Sequence, residues 1–290
     1  MSTITASTTA PTASYTGAGP ATSRVSGSAA LGVLARRRFA LSVRTPRELL
    51  VPLLAPVMFA IVIAPALDSI GPTVPGVDYM SFTAVGIAGL LIPLNSMFAG
   101  IGAIVDREGG ARRDLLAAPV SRPLLVLANL AVALCTTALQ VAVLIGASVL
   151  RGAELDVSAT GLLWFLGAAG ALAVAMYCVA ETIANKVASV EDFTAAVPGI
   201  AIVPFFFAGS LFPISALPAA LTALAKVIPL THALALMRYG LLGGNSSGLH
   251  DIWGMSNSTA MAALSLTVVA AFAAVMTLVA MRVFRRAAVQ

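Results

Sequence analysis

The residues best suited to something other than filling a bilayer crowd into one stretch, Asp106–Arg122, which reads DREGGARRDLLAAPVSR. Seven of them are charged: Asp106, Arg107, Glu108, Arg112, Arg113, Asp114 and Arg122. Each would cost several kcal/mol in hydrocarbon, so the stretch belongs in water or against protein. Gly109 and Gly110 permit a sharp turn, and Pro119 ends any helix running through Leu115 and Leu116. Such a stretch can dock a partner and pass force. Two readings fit it: a solvated connector that only sets topology, and a stiff helical turn that a partner grips.

Elsewhere, catalytic groupings are missing. His232 and His250 have no ligand-spaced partners, and His232 reads as structural and not as a proton carrier. Cys135 and Cys178 fall inside apolar runs and read as small hydrophobes, not as a disulfide framework or metal site. No Gly-x-x-x-x-Gly-Lys-Ser/Thr phosphate loop occurs, so the chain does not read as an enzyme and binds no cofactor itself. A few polar residues interrupt the apolar runs: Asn95, Ser96, Thr136, Thr137 and Gln140. They read first as interhelical hydrogen-bonding groups. Glu181, Asn185, Lys186, Glu191 and Asp192 make a second charged loop, either topogenic or a second docking contact.

The elements that must position these residues are membrane helices. The chain is 59% hydrophobic and only 10% charged, where a soluble domain carries about 25% charged residues. The expected fold is an all-α, polytopic membrane protein. Its net charge of +5 lies at the ends of apolar runs, where it sets orientation. No aromatic-rich basic patch accompanies it, so nucleic acid is not an expected partner. Residues 1–30, rich in Ser, Thr, Ala, Gly and Pro, read as a disordered tail without a signal-peptide pattern. Residues 31–48 read as an amphipathic interfacial helix or as an arginine-rich flank.

Residues 49–290 then form the transmembrane domain, with spans near 49–67, 81–105, 123–150, 159–180, 193–211 and 259–281. Phe193–Arg238 is apolar nearly throughout and could hold one span or two. One span there puts fourteen Arg and Lys on the N-terminal side, against Arg151, Lys226 and Arg238. Two spans would carry Arg282, Arg285 and Arg286 across. The positive-inside rule prefers six spans with both termini cytoplasmic. The prolines of Phe212–Pro218 break any helix twice, so Pro213–Arg238 is expected to re-enter from outside as two short helices.

Two stretches resemble the type-2 ABC exporter permeases. The first is Asp106, Arg107, Glu108, Gly110, Leu115, Leu116, Pro119, Ser121 and Arg122. Asp106 stands where Glu is usual in that family, and Ala111 and Arg112 where Thr and Leu are common. The second is Gly209, Phe212, Pro213 and Pro218, followed by Pro229, Leu230, Thr231 and Arg238. The resemblance covers about 31–286. It implies that Asp106–Pro119 couples to a soluble ABC ATPase subunit, which holds the ATP and magnesium. It implies a second permease copy or homologue, with a path between them lined by Asn95, Met97, Phe98, Phe205, Phe206 and Phe207. It implies a gate built on the second stretch, and export of an amphiphilic drug, antibiotic or lipid-like metabolite across a bacterial cell membrane. One rival is export of polysaccharide or lipid-linked glycan, which an aromatic content of 6% counts against. Another is an ion-coupled secondary transporter, which needs ionisable residues at mid-membrane. A third, a membrane scaffold, needs no coupling loop.

Overall fold

The computed structural model describes residues 78–109 and 122–287, with scattered positions between 32 and 66. The tail 1–30, most of 31–48 and 49–67, and Gly110, Leu115, Leu116 and Pro119 lie outside the described residues. Within them the fold is helical, and the one extended pairing is a bridge between Asp156 and Leu242.

Helix α1 (Tyr79–Ala99) starts where the Asp78 carboxylate accepts from the Ser81 amide at 2.9 Å and from its hydroxyl at 2.7 Å. Such a cap satisfies orphan amides of the first turn. A short break at Gly100 leads into α2 (Ile101–Glu108), and the two run on as one apolar stretch of 30 residues. Helix α3 (Arg122–Leu150) returns, and α4 (Ala159–Ala184), capped by the Ser158 hydroxyl on the Gly161 amide, goes back. At 1.5 Å per residue, 26 residues reach about 39 Å, enough for a bilayer core of about 30 Å.

The next membrane-length run is composite: α5 (Val190–Val197), a π-helical turn (Pro198–Ile202) and α6 (Val203–Phe207). Pro198 and Pro204 remove two backbone donors from the regular ladder, and the wide turn lies between them. Beyond it come a 3₁₀ turn (Ile214–Ala216), α7 (Ala219–Ala225), α8 (Pro229–Leu241) and α9 (Ser247–Trp253). The last helix, α10 (Ser258–Ala287), spans again.

Among the described residues five membrane-length helices match five of the six expected spans; the expected span 49–67 lies largely outside those residues. Several boundaries move, the sixth span running on to Ala287. The fourth span continues four residues past its expected end, to Ala184, and takes Glu181 with it. The fifth begins at Val190 and ends at Phe207, because the Ser189 hydroxyl caps the Asp192 amide at 3.2 Å. Glu191 and Asp192 are thus first-turn residues, where negative charge suits the helix dipole. The expected charged loop 181–192 shrinks to Asn185–Ser189.

Helix α4 is the centre of the bundle and packs against α1, α3, α8 and α10. Its many Ala and Gly residues let neighbours come close, as membrane helix contacts require. The closest approach is Gly161 against Gly240 of α8, where a Cβ on either would collide with the other's carbonyl oxygen. Tyr177, Leu172, Leu144, Met97, Leu234 and Met237 are all fully buried around it.

The bent pair α7–α8 turns by 80° and could in principle be a broken span. Its two ends decide otherwise. Arg238, near the end of α8, bonds to the carbonyls of Gly209 and Ser210, which lead into the segment. The Asp156 amide, between α3 and α4, bonds to Leu241 O, and the Tyr79 hydroxyl at the start of α1 bonds to Leu211 O. Entry and exit thus lie at the same end of the bundle. A span would separate them by about 30 Å. The segment is a re-entrant hairpin, as the prolines required.

Candidate coupling face and gate

At the Glu108 end of the bundle, Arg107 fixes the geometry. It lies on the last turn of α2, and its guanidinium reaches three carbonyls of the turn after α4. Nη1 donates to Ala184 O at 2.9 Å; Nη2 donates to Val187 O at 2.9 Å and Ala188 O at 3.1 Å. The last carbonyls of a helix have no intrahelical partners, and a cation there also meets the negative end of the dipole. The sequence reading gave Arg107 to an ATPase. The structure gives its guanidinium to the chain itself, as a brace between the two charged turns. Glu108, one residue on, is exposed, and Asp106 is half-buried.

Behind the brace, Glu181 is 2% exposed. Its carboxylate accepts from Tyr177 Oη at 3.3 Å and Asn185 Nδ2 at 3.0 Å. Glu181 lies beyond the expected end of the fourth span yet inside its helix, because the apolar window ends before the helix does. The group sits in the last turn, away from mid-membrane, so it does not make a mid-membrane ion site.

The gate residues gather at the opposite end. Arg238 is the hub. Besides the carbonyls of Gly209 and Ser210, both at 2.7 Å, its Nε and Nη2 reach Phe82 O at 3.4 and 3.3 Å. Its guanidinium also lies 3.4 Å from the centroid of the Phe82 ring. Hydrogen bonds from a charged donor contribute about 1.5–3 kcal/mol each, and a desolvated cation–π contact about 2; together they offset burial of the cation. Pro213 and Pro218 bracket the 3₁₀ turn, and Pro229 opens α8 with the missing amide where no partner is needed. Phe212 is half-buried in the turn before Pro213, while Thr231 is buried one turn into α8. Two residues that sequence reasoning left out complete the hairpin: Ser265 and Trp253. His232 Nε2 donates to Lys226 O at 2.9 Å, so Nδ1 accepts from the Ser265 hydroxyl at 3.2 Å. Ser265 in turn accepts from the Trp253 indole at 2.8 Å.

The candidate path residues divide. Helix α1 does lie against α5 and the π turn, so the second and fifth spans are neighbours. Met97 and Phe205 are buried in the bundle, whereas Phe98 and Phe206 are about half exposed on its surface. Phe207 is intermediate. Asn95 Nδ2, Thr137 Oγ1 and Gln140 Oε1 are buried without partners among the described residues. The expected interhelical hydrogen bonds from these three atoms are not formed there.

Among curated proteins, nothing matches the chain. A family model described as ABC-2 type transporter matches residues 29–242, from the arginine-rich flank to the end of the hairpin. With the multi-pass helical bundle, this makes the chain a member of the ABC-2 type transporter family and the membrane permease component of such a transporter.

Proposed function

We propose that the chain is the permease subunit of an exporter that moves an amphiphilic small molecule outward across a bacterial cell membrane. A separate ABC ATPase hydrolyses ATP with magnesium and docks on Asp106–Arg122. Two permeases, identical or homologous, enclose the path. The basic residues of the Glu108 end, Arg107, Lys186, Arg282, Arg285 and Arg286, outnumber those at the hairpin end; this supports a cytoplasmic Glu108 end and an external hairpin.

The observation that carries the reading is the Arg107 brace. A push on a loosely tethered loop is lost in the loop. Here α2 is bonded to the turn joining the fourth and fifth spans, so displacement at the loop moves three spans together as rigid bodies. The ATPase contact then falls to exposed Glu108, with Arg107 holding it in place.

The test is capture of the ATPase. Glu108→Ala should leave the permease inserted and abundant, weaken co-purification of the ATPase, and remove substrate-stimulated hydrolysis. Losing one member of a desolvated charge pair costs roughly 2–5 kcal/mol of binding, against about 1 or less for an exposed pair. Glu154→Ala, exposed at the other end, should change neither. Wild-type capture and export in both Glu108→Ala and Arg107→Ala would make the loop a passive connector and end this reading.

A further inference from the structure

The hairpin encloses a cavity beside α9, with an empty volume of about 660 Å³ that includes open solvent. Its walls include Arg238, Thr231, Asp251, Ser215, Ser247 and the Phe82 ring. Three features mark the cavity as built for a polar occupant. Arg238 is 8% exposed, and its bonded partners are all backbone carbonyls. These bonds occupy four of the five guanidinium hydrogens and leave one on Nη1. Thr231 is 3% exposed, and its Oγ1 is buried with no hydrogen-bond partner among the described residues. Asp251 lines the same cavity, its carboxylate accepting from the Ser215 hydroxyl at 2.9 Å.

A buried hydroxyl left unpaired costs about 1–3 kcal/mol, and native structures usually satisfy such groups. Pairing the cation with carbonyl dipoles leaves its net charge uncancelled. An anionic group entering the cavity would meet the Arg238 hydrogen, and a turn of the Thr231 side chain about its Cα–Cβ bond would bring the buried hydroxyl to it. Asp251 on the same wall would repel a plain anion, and Arg238 would repel a plain cation. A molecule carrying both charges satisfies both.

We infer that this cavity binds a small zwitterionic group, a phosphate or carboxylate on Arg238 and Thr231 with an ammonium toward Asp251. A free solute and the head group of a phospholipid share that chemistry. The site is separate from the coupling face, and its occupancy does not depend on the export reading.

Thermal unfolding of the full-length purified permease, followed by tryptophan fluorescence, tests this with three probes. They are phosphoethanolamine, inorganic phosphate and dihexanoyl phosphatidylethanolamine. A ligand of the folded state raises the midpoint with concentration. Phosphoethanolamine should do so at lower concentration than phosphate. Thr231→Val removes a hydroxyl the fold does not use, so it should fold normally and bind about tenfold more weakly or worse. Asp251→Asn keeps an acceptor for Ser215 and should lose the preference over phosphate. Response to the lipid alone would identify the head group as the occupant; response to both would identify a soluble zwitterion. No shift with any probe, equal response to phosphate and phosphoethanolamine, or an unchanged Thr231→Val affinity would each overturn the inference.

Discussion

Arg107 directs its guanidinium at Ala184, Val187 and Ala188, carbonyls up to 81 residues further along the chain. Nothing in the sequence marks a carbonyl as available, because every residue has one. The charged cluster was legible at Asp106–Glu108; the division of labour between Arg107 and Glu108 was not. Glu181 escaped for a related reason: hydropathy loses a helix at its first charges, while the backbone ladder continues. Residue-scale predictions follow from the hairpin. At Gly86 of α1, a Cβ would collide with the Ser210 carbonyl that Arg238 holds. Gly86→Ala should therefore lower the thermal midpoint and open the hairpin to a water-soluble thiol probe at position 212. Ser265→Ala should leave His232 Nδ1 and Trp253 Nε1 unpaired. The cost is about 1–3 kcal/mol for each buried group, readable as lost stability in the tryptophan signal. Thermal midpoints unchanged from wild type in both variants would show that neither network holds the hairpin.

At the scale of elements, the spans were legible because apolar length is a blunt and strong signal, and the hairpin because Pro213, Pro218 and Pro229 forbid a straight helix. The π turn at Pro198–Ile202 was not, since either proline alone allows several helical repairs. Helix α4 was legible as a span but not as the hub, because being central depends on what neighbours do. The hairpin's topology has a direct check. In a chain with Cys135 and Cys178 replaced, single cysteines at Ser215 and Asp251 should label from one side of the membrane. Those at Glu108 and Arg286 should label from the other. Labelling of Asp251 from the Arg286 side would turn the bent pair into a crossing span and reverse the last helix.

For the whole molecule, one feature of the surface bears on assembly. Phe98 and Phe206 stand out from the second and fifth spans at 45% and 52% exposure, while their neighbours Met97 and Phe205 are buried. Exposed aromatics facing lipid cost nothing, so exposure alone does not mark an interface. The proposed pairing does: if two copies enclose the path along these spans, Phe98→Cys or Phe206→Cys should cross-link copy to copy under mild oxidation. Leu278→Cys, 59% exposed on α10, should not. Cross-linking confined to Leu278 would place the partner against the sixth span and remove α1 from the path.

The contact between Arg238 and Phe82 joins residues 156 apart in the chain. At synthesis rates of about 5–20 residues per second, roughly 8 to 30 s separate the two. During that interval α1 is in the membrane with its phenyl face and carbonyl awaiting a cation not yet made. Assembly thus proceeds in a fixed order: α1 to α6 and the braced charged face can form before the opposite end is latched, and α10 joins afterwards. A nascent chain halted before residue 238 would hold α1 to α6 with that end unlatched. The latch is the delivery of a single positive charge to a site built roughly 8 to 30 s earlier, and α10 with its Ser265 follows it.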